Sequence, residues 1–316
     1  MIEETDFFTK DMERENDQFV KEKILQSANF PDLYEVSHIQ TRSDMELGTG
    51  KYVAPLLLDE AIPKNISTSN GDVPVRMFLP KGQIEGIYLH FHGGGWVIGT
   101  AHMQDQKLKD ISDECNAVVI SVEYRLAPEH RYPAAQDDCE EVALWVIKNC
   151  ESEFGTAKIV VGGESAGAHL SASTLIRLRD KHQFTDFKGV NLVYGVYDLS
   201  MTPSSKLWGN EKGLLNTPGM EWFIDHYLQD MERTDPDISP LYSDLSDMPN
   251  ALFTVGTRDL LLDDTLFMHS RWEFSGNEAT LNVYAGATHG FDSLPTQLAI
   301  NVQKRIRSFI TQCFLS

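Results

Sequence analysis

The strongest constraint on the fold of this chain is an alternation. Short runs of β-branched and aromatic residues, at 84–91, 117–122, 158–161, 190–196, 251–255 and 280–284, are separated by longer stretches with helical spacing. Strands alternating with helices imply parallel pairing through crossovers, hence an α/β sheet covered by helices on both faces. Two earlier runs, 62–67 and 73–79, are split by Asn70-Gly71, a turn signal that predicts an antiparallel hairpin opening the sheet. The rhythm breaks between Asp198 and Ala251. About 50 residues there, rich in Ser, Pro, Trp and Met, are too long for one crossover and predict an insertion, placed as a lid. The first 50 residues are polar and helix-like, with Phe7, Phe8, Phe19, Ile24 and Leu25 as apolar positions, an amphipathic segment that needs something larger to lie on.

In open α/β sheets ligands bind beyond the carboxyl ends of the strands, so chemistry is sought just past each apolar run. After 158–161 comes Gly163-Glu164-Ser165-Ala166-Gly167, followed by a helical run. Glycines two residues either side of a serine permit a tight strand-to-helix turn that presents the hydroxyl at the sheet edge. That spacing alone arises by chance in roughly one chain in ten, given ordinary Gly and Ser usage; the strand before and the helix after give it weight. The run 84–91 ends in His92-Gly93-Gly94-Gly95-Trp96, whose glycines expose backbone N–H groups. Those donors, with the N–H of Ala166, can meet a developing oxyanion. His92 reads as a residue orienting this loop rather than as a base.

A nucleophilic serine needs a base and a group to orient that base. Asp259 follows the run 251–255 and His289 follows 280–284, in the order serine, acid, histidine. Asp259 ranks ahead of its rivals Asp263 and Asp264, which lie further along in the next helix, and ahead of Asp198. Of the other histidines, His38, His130, His182, His226 and His269 read as surface residues, His169 as packed, and His102 as a further candidate to line a pocket. Trp96, Trp208, Trp222 and Phe223 are candidates for the pocket wall.

Taken together, His92-Gly93-Gly94-Gly95-Trp96, Tyr124-Arg125-Leu126-Ala127-Pro128-Glu129, Gly163-Glu164-Ser165-Ala166-Gly167, Gly256-Thr257-Arg258-Asp259 and His289-Gly290-Phe291 resemble the motifs of the hormone-sensitive-lipase family of α/β-hydrolase esterases. The resemblance runs in order from about residue 60 to the end of the chain. It implies Ser165 as nucleophile, His289 as base and Asp259 as its partner, with an oxyanion hole from Gly94, Gly95 and Ala166. It also implies a helical cap from residues 1–50 and 201–236 over a catalytic core of 51–200 and 237–316, with no cofactor and no metal. The residue before the serine is usually Asp in that family; here it is Glu164, one methylene longer. Arg125 is expected to pair a carboxylate, with Pro128 and Pro133 shaping the loop, cis bonds included.

Composition sets the partners. With 47 acidic and 27 basic side chains the formal net charge is −20, which argues against nucleic acid and anionic membrane surfaces and favours neutral ester substrates. The acidic start Met1-Ile2-Glu3-Glu4-Thr5-Asp6 is unlike a signal peptide, and four cysteines without a CxxC pair suit a reducing, cytoplasmic setting. The expected substrate is a short-to-medium-chain ester, and the run 280–284 would offer an edge for a homodimer. The competing readings are an amidase or peptidase using the same three residues, and a non-catalytic small-molecule receptor on the same fold. The intact Ser165, Asp259 and His289 weigh against the receptor.

Overall fold

The computed structural model describes residues 9–212 and 215–316; Met1–Asp6, Phe7 and Phe8 lie outside that range. In chain order the elements are α1 (Lys10–Ser27), α2 (His38–Leu47), β1 (Ile62–Thr68), β2 (Gly71–Phe78), β3 (Gly86–Phe91), α3 (Asp105–Cys115), β4 (Ala117–Val122), α4 (Ala134–Phe154), β5 (Ile159–Glu164), α5 (Ala166–His182), β6 (Gly189–Val193), α6 (Pro203–Leu207), α7 (Thr217–Tyr227), β7 (Ala251–Arg258), α8 (Leu262–Phe274), β8 (Ala279–Thr288) and α9 (Gln297–Leu315). The strands form one sheet in the order β1-β2-β4-β3-β5-β6-β7-β8. The β1–β2 hairpin and the β2–β4 pair are antiparallel, and the remaining pairs are parallel, as the alternation requires.

Strand bounds differ from the sequence reading where side-chain type and pairing part company. β5 continues through Gly162, Gly163 and Glu164, because the ladder to β6 persists even where residues are too small or too polar to read as strand. β6 ends at Val193, three residues early, where Tyr194 turns to φ +36°.

Burial alternates along the central strands. Ile87, Leu89 and Phe91 of β3, with Ile159 and Val161 of β5, enter the core shared with α4 and α5. Tyr88 and Val160 face the opposite layer, built on α3 and α9. All four cysteines are buried and unpaired, and no helix among the described residues is long and apolar enough to cross a membrane.

The N-terminal helices and the insertion pack onto this frame. α1 docks at the β8 edge, where the buried Asn16 donates to the Gly286 carbonyl (3.2 Å), and it buries Val20 while Leu25 stays exposed. Arg42 of α2 donates to the carbonyls of Val97 and Ala127 (both 2.7 Å) and pairs with Glu129 (2.9 Å). Arg125 pairs with Asp138 (2.7 Å), and the peptide bonds before Pro128 and Pro133 are cis. His38, His226 and His269 are half-buried rather than on the surface. Each gains ring contacts, with His226 lying 4.1 Å from Trp222 and His269 edge-on to Phe253.

Asp264, a rival for the acid in the sequence reading, is bonded to the chain that leaves β6. Its buried carboxylate accepts from the amides of Tyr197 (2.7 Å) and Asp198 (3.0 Å) and from the Thr202 hydroxyl (2.7 Å), fixing the chain where it leaves β6 for the insertion. Burial pushes this carboxyl up to about 7, against an ordinary 3.8. The folded state therefore keeps a proton that the unfolded chain releases, so this group's contribution to stability falls as pH rises from about 4 to about 7. Asp264→Asn should flatten that slope, and the Tm difference between wild type and variant, followed from pH 5 to pH 8, checks it.

Candidate active site

Ser165 sits between β5 and α5 at φ 56° and ψ −118°, a conformation that costs an L-residue on the order of 1–3 kcal/mol. The turn closes because glycine stands on both sides. A Cβ on Gly163 or Gly167 would land on the Phe91 carbonyl oxygen at the end of β3. The strained turn is held by backbone bonds: the Ser165 amide donates to Val193 (2.9 Å), and the Ser165 carbonyl accepts from Ala168 and His169 (3.1 Å each).

Three side chains from three strand ends meet here. His289, just past β8, lies with Nε2 3.0 Å from Ser165 Oγ. Its Nδ1 is 2.9 Å from Asp259 Oδ2. Asp259 follows β7, is fully buried, and its other oxygen accepts from the Leu261 amide (2.9 Å). With Asp259 accepting at Nδ1, the imidazole presents an unprotonated Nε2 to the serine. The rivals are elsewhere: Asp263 accepts from the Ser204 amide (2.8 Å), and Asp198 holds Ser200 (2.6 Å).

The glycine loop faces the same point. Gly94 and Gly95 adopt φ +118° and +59°, and neither has room for a side chain, since a Cβ would strike the Ile98 carbonyl or the Phe223 ring respectively. Their N–H groups have no partner among the described residues. Ala166 opens α5, so its amide has no helical carbonyl four residues back to bond. The loop is shaped by His92, whose Nδ1 donates to the Gly93 carbonyl (2.8 Å) and whose ring stacks on Tyr124 at 4.1 Å. Burial lowers His92 to about 4, so it is neutral at pH 7.

Ser165, His289, His92, Gly94 and Gly95 border a cavity of about 300 Å³, walled by Met45 of α2, Ile98, Met103, Val196, Leu215, and Met220 and Phe223 of α7. Trp96 and Phe223 reach it, whereas Trp208 and Trp222 do not. His102 turns away to pair with Glu46 (2.8 Å). His169 is packed, bonded to the Trp96 indole (3.1 Å) and the Ile238 carbonyl (2.8 Å). Tyr194 was missed from sequence: its ring lies 4.5 Å from the His289 imidazole, yet it falls inside a run that reads as strand.

A family model described as alpha/beta hydrolase fold matches residues 88–293. The chain is an α/β-hydrolase of the hormone-sensitive-lipase family. Among curated relatives, this α/β-hydrolase is 32% identical to carboxylic ester hydrolase LipN of Mycobacterium tuberculosis over 234 residues, 71% of this chain and 62% of that protein. It therefore spans less than two thirds of that relative. It is 27% identical to acetyl esterase of Salmonella typhi over 230 residues, 72% of this chain and 71% of that one. A solved structure, the hyperthermophilic esterase from the archaeon Pyrobaculum calidifontis, superposes with a TM-score of 0.84 at 26% identity, covering 95% of this chain and 98% of that one.

In this α/β-hydrolase the elbow should tolerate no side chain at Gly167. Gly167→Ala forces Cβ against the Phe91 backbone, which cannot rotate away, and the expected destabilisation is about 1–3 kcal/mol. Urea unfolding of the variant beside wild type measures it.

Proposed function

We propose that this α/β-hydrolase is a serine carboxylesterase acting on short-to-medium-chain, neutral esters through an acyl-enzyme. The observation that carries the reading is the hydrogen-bonded line from Asp259 through His289 to Ser165, set beside the Gly94 and Gly95 amides, which have no partner among the described residues, at an apolar cavity. Ser165 Oγ attacks the ester carbonyl while His289 Nε2 takes its proton, and Asp259 holds the ring in the required tautomer and stabilises the imidazolium. The carbonyl oxygen, now an oxyanion, is met by the N–H groups of Gly94, Gly95 and Ala166. His289 returns the proton to the leaving alcohol. It then activates a water that attacks the acyl carbonyl and frees Ser165.

The names carried by the relatives, a carboxylic ester hydrolase, an acetyl esterase and a hyperthermophilic esterase, support an ester over an amide. In this reading residues 1–50 and 201–236 act as a cap, since α2 supplies Met45 and the insertion supplies Leu215, Met220 and Phe223 to the cavity wall. The buried thiols suit a cytoplasmic setting. β8, at the end of the sheet, offers the edge on which two copies could pair.

Ser165→Ala should lower p-nitrophenyl butyrate hydrolysis by at least roughly 10³-fold; retained turnover would sink the assignment. Phe223 closes the cavity against Gly95, so Phe223→Ala should move the best acyl chain to greater length. A series of p-nitrophenyl esters from acetate to decanoate, compared as kcat/KM, reads that shift.

A further inference from the structure

Glu164 precedes Ser165, and the mechanism above does not use it. Its place on β5 matches the even positions of β3, with His90 beside Gly162 in the register, so both side chains point to the α3–α9 layer. There the Glu164 carboxylate lies 3.1 Å from His90 Nε2, accepts from Gln104 Nε2 (3.2 Å) and accepts from the Lys107 ammonium. Lys107, on α3, also donates to Asp292 (2.7 Å). Asp292 accepts in turn from the Tyr194 hydroxyl and from Gln303 (2.9 Å).

This is a buried assembly: the side chains of Lys107, Glu164 and Asp292 are 13%, 4% and 0% exposed. Burial opposes the charges on Glu164 and Lys107, yet Lys107 and His90 hold Glu164 well below the usual carboxylate range. Asp292 and Glu164 likewise hold Lys107 above the usual ammonium value.

The assembly spans both halves of the reacting pair. Glu164 is bonded covalently to Ser165. Asp292 lies three residues after His289, in the short 3-10 turn Phe291–Ser293, and its partner Tyr194 packs on the His289 ring. The β7–β8 ladder that leads to His289 shifts register between Gly256 and Arg258 before it resumes at Arg258 and Thr288, and Gly290 just after the histidine adopts φ +76°; the Asp292 bonds act on the loop beyond that ladder. Reacting groups must be held to within about an ångström, a displacement that can cost on the order of 10²-fold in rate.

We propose that Lys107 is a positioning residue: its ammonium ties the carboxylate beside Ser165 to the carboxylate that closes the His289 loop, and so sets the 3.0 Å approach of His289 to Ser165. The inference rests on the ester-hydrolase reading. The alternative is that Lys107 only balances two buried carboxylates, in which case it matters for stability and not for turnover.

Kinetics of p-nitrophenyl butyrate hydrolysis by the full chain, with Tm recorded for each variant, separate the two. Lys107→Met should lower kcat by roughly 10- to 100-fold with KM within about twofold, and Lys107→Arg, which keeps charge and several donors, should recover most of it. The double variant Lys107→Met/Glu164→Gln removes the ammonium together with one carboxylate. It should regain Tm but not kcat. Wild-type kcat in that double variant overturns the proposal. Should Lys107→Met fail to fold, Asp292→Asn decides, since it leaves Lys107 paired with Glu164 and weakens the bonds from Lys107, Tyr194 and Gln303 that hold the His289 loop. A kcat loss of about threefold or more at constant KM supports the tie, and an unchanged kcat overturns it. Wild type and Ser165→Ala run alongside: an inactive wild type refutes the esterase reading itself, whereas an active wild type with wild-type-like Lys107 and Asp292 variants refutes only the positioning role.

Discussion

The site depends on the contact between the end of β3 and the turn that carries Ser165. The Phe91 carbonyl sits where a side chain on Gly163 or Gly167 would have to go. That closeness lets β5 turn into α5 within one residue and leaves Ser165 at φ 56°. The strain is local and modest, on the order of 1–3 kcal/mol, and the bonds on either side of it are backbone bonds within the most buried part of the sheet. Because β3 also launches the glycine loop, the same contact fixes the distance between Ser165 and the N–H groups of Gly94 and Gly95. One close approach thus sets two of the components on which the proposed chemistry relies.

The histidine arrives differently. Ser165 and the glycine loop extend central strands flanked on both sides, whereas His289 follows β8, the last strand of the sheet, past a break in register. A side chain at an edge needs bonds from outside its own ladder. Several converge there: Asp259 on Nδ1, Tyr194 against the ring, Asn16 of α1 on the Gly286 carbonyl and Thr257 on the Gly286 amide. The N-terminal helix is therefore part of what holds the histidine strand, as well as a neighbour of the cavity.

Much of this was legible in the chain because it is local. Alternation gave the parallel sheet, and the glycine spacings gave the elbow and the loop. The positions of Asp259 and His289 just past their runs placed both at the carboxyl edge, and it is Asp259, ahead of Asp263, Asp264 and Asp198, that lies against the His289 ring. What escaped was the long-range polar pairing. Lys107 lies 57 residues from Glu164 and 185 from Asp292, and nothing in its neighbourhood on α3 marks it as buried. Tyr194 was hidden by resembling strand, and the half-buried His38, His226 and His269 by polar neighbours. Trp208 and Trp222 failed as wall residues because composition says that an aromatic is present without saying which way its helix faces.

The charge of −20 acquires a sharper meaning once the site is placed. A negative protein should oppose an oxyanion forming within it, and a field spread over the whole surface could make the proposed mechanism costly. Distance decides the matter. Surface carboxylates act through water and salt, screened beyond about 8 Å at physiological ionic strength, whereas amide donors at an oxyanion act at about 3 Å in a water-poor cavity. Of the acidic residues among those described, only Glu164 lines the cavity, and its charge is met from beneath by Lys107. The ammonium thus offsets the charge of the carboxylate that borders the cavity, while Asp259 faces His289, and the surface excess bears on the approach of charged esters rather than on the bond being broken.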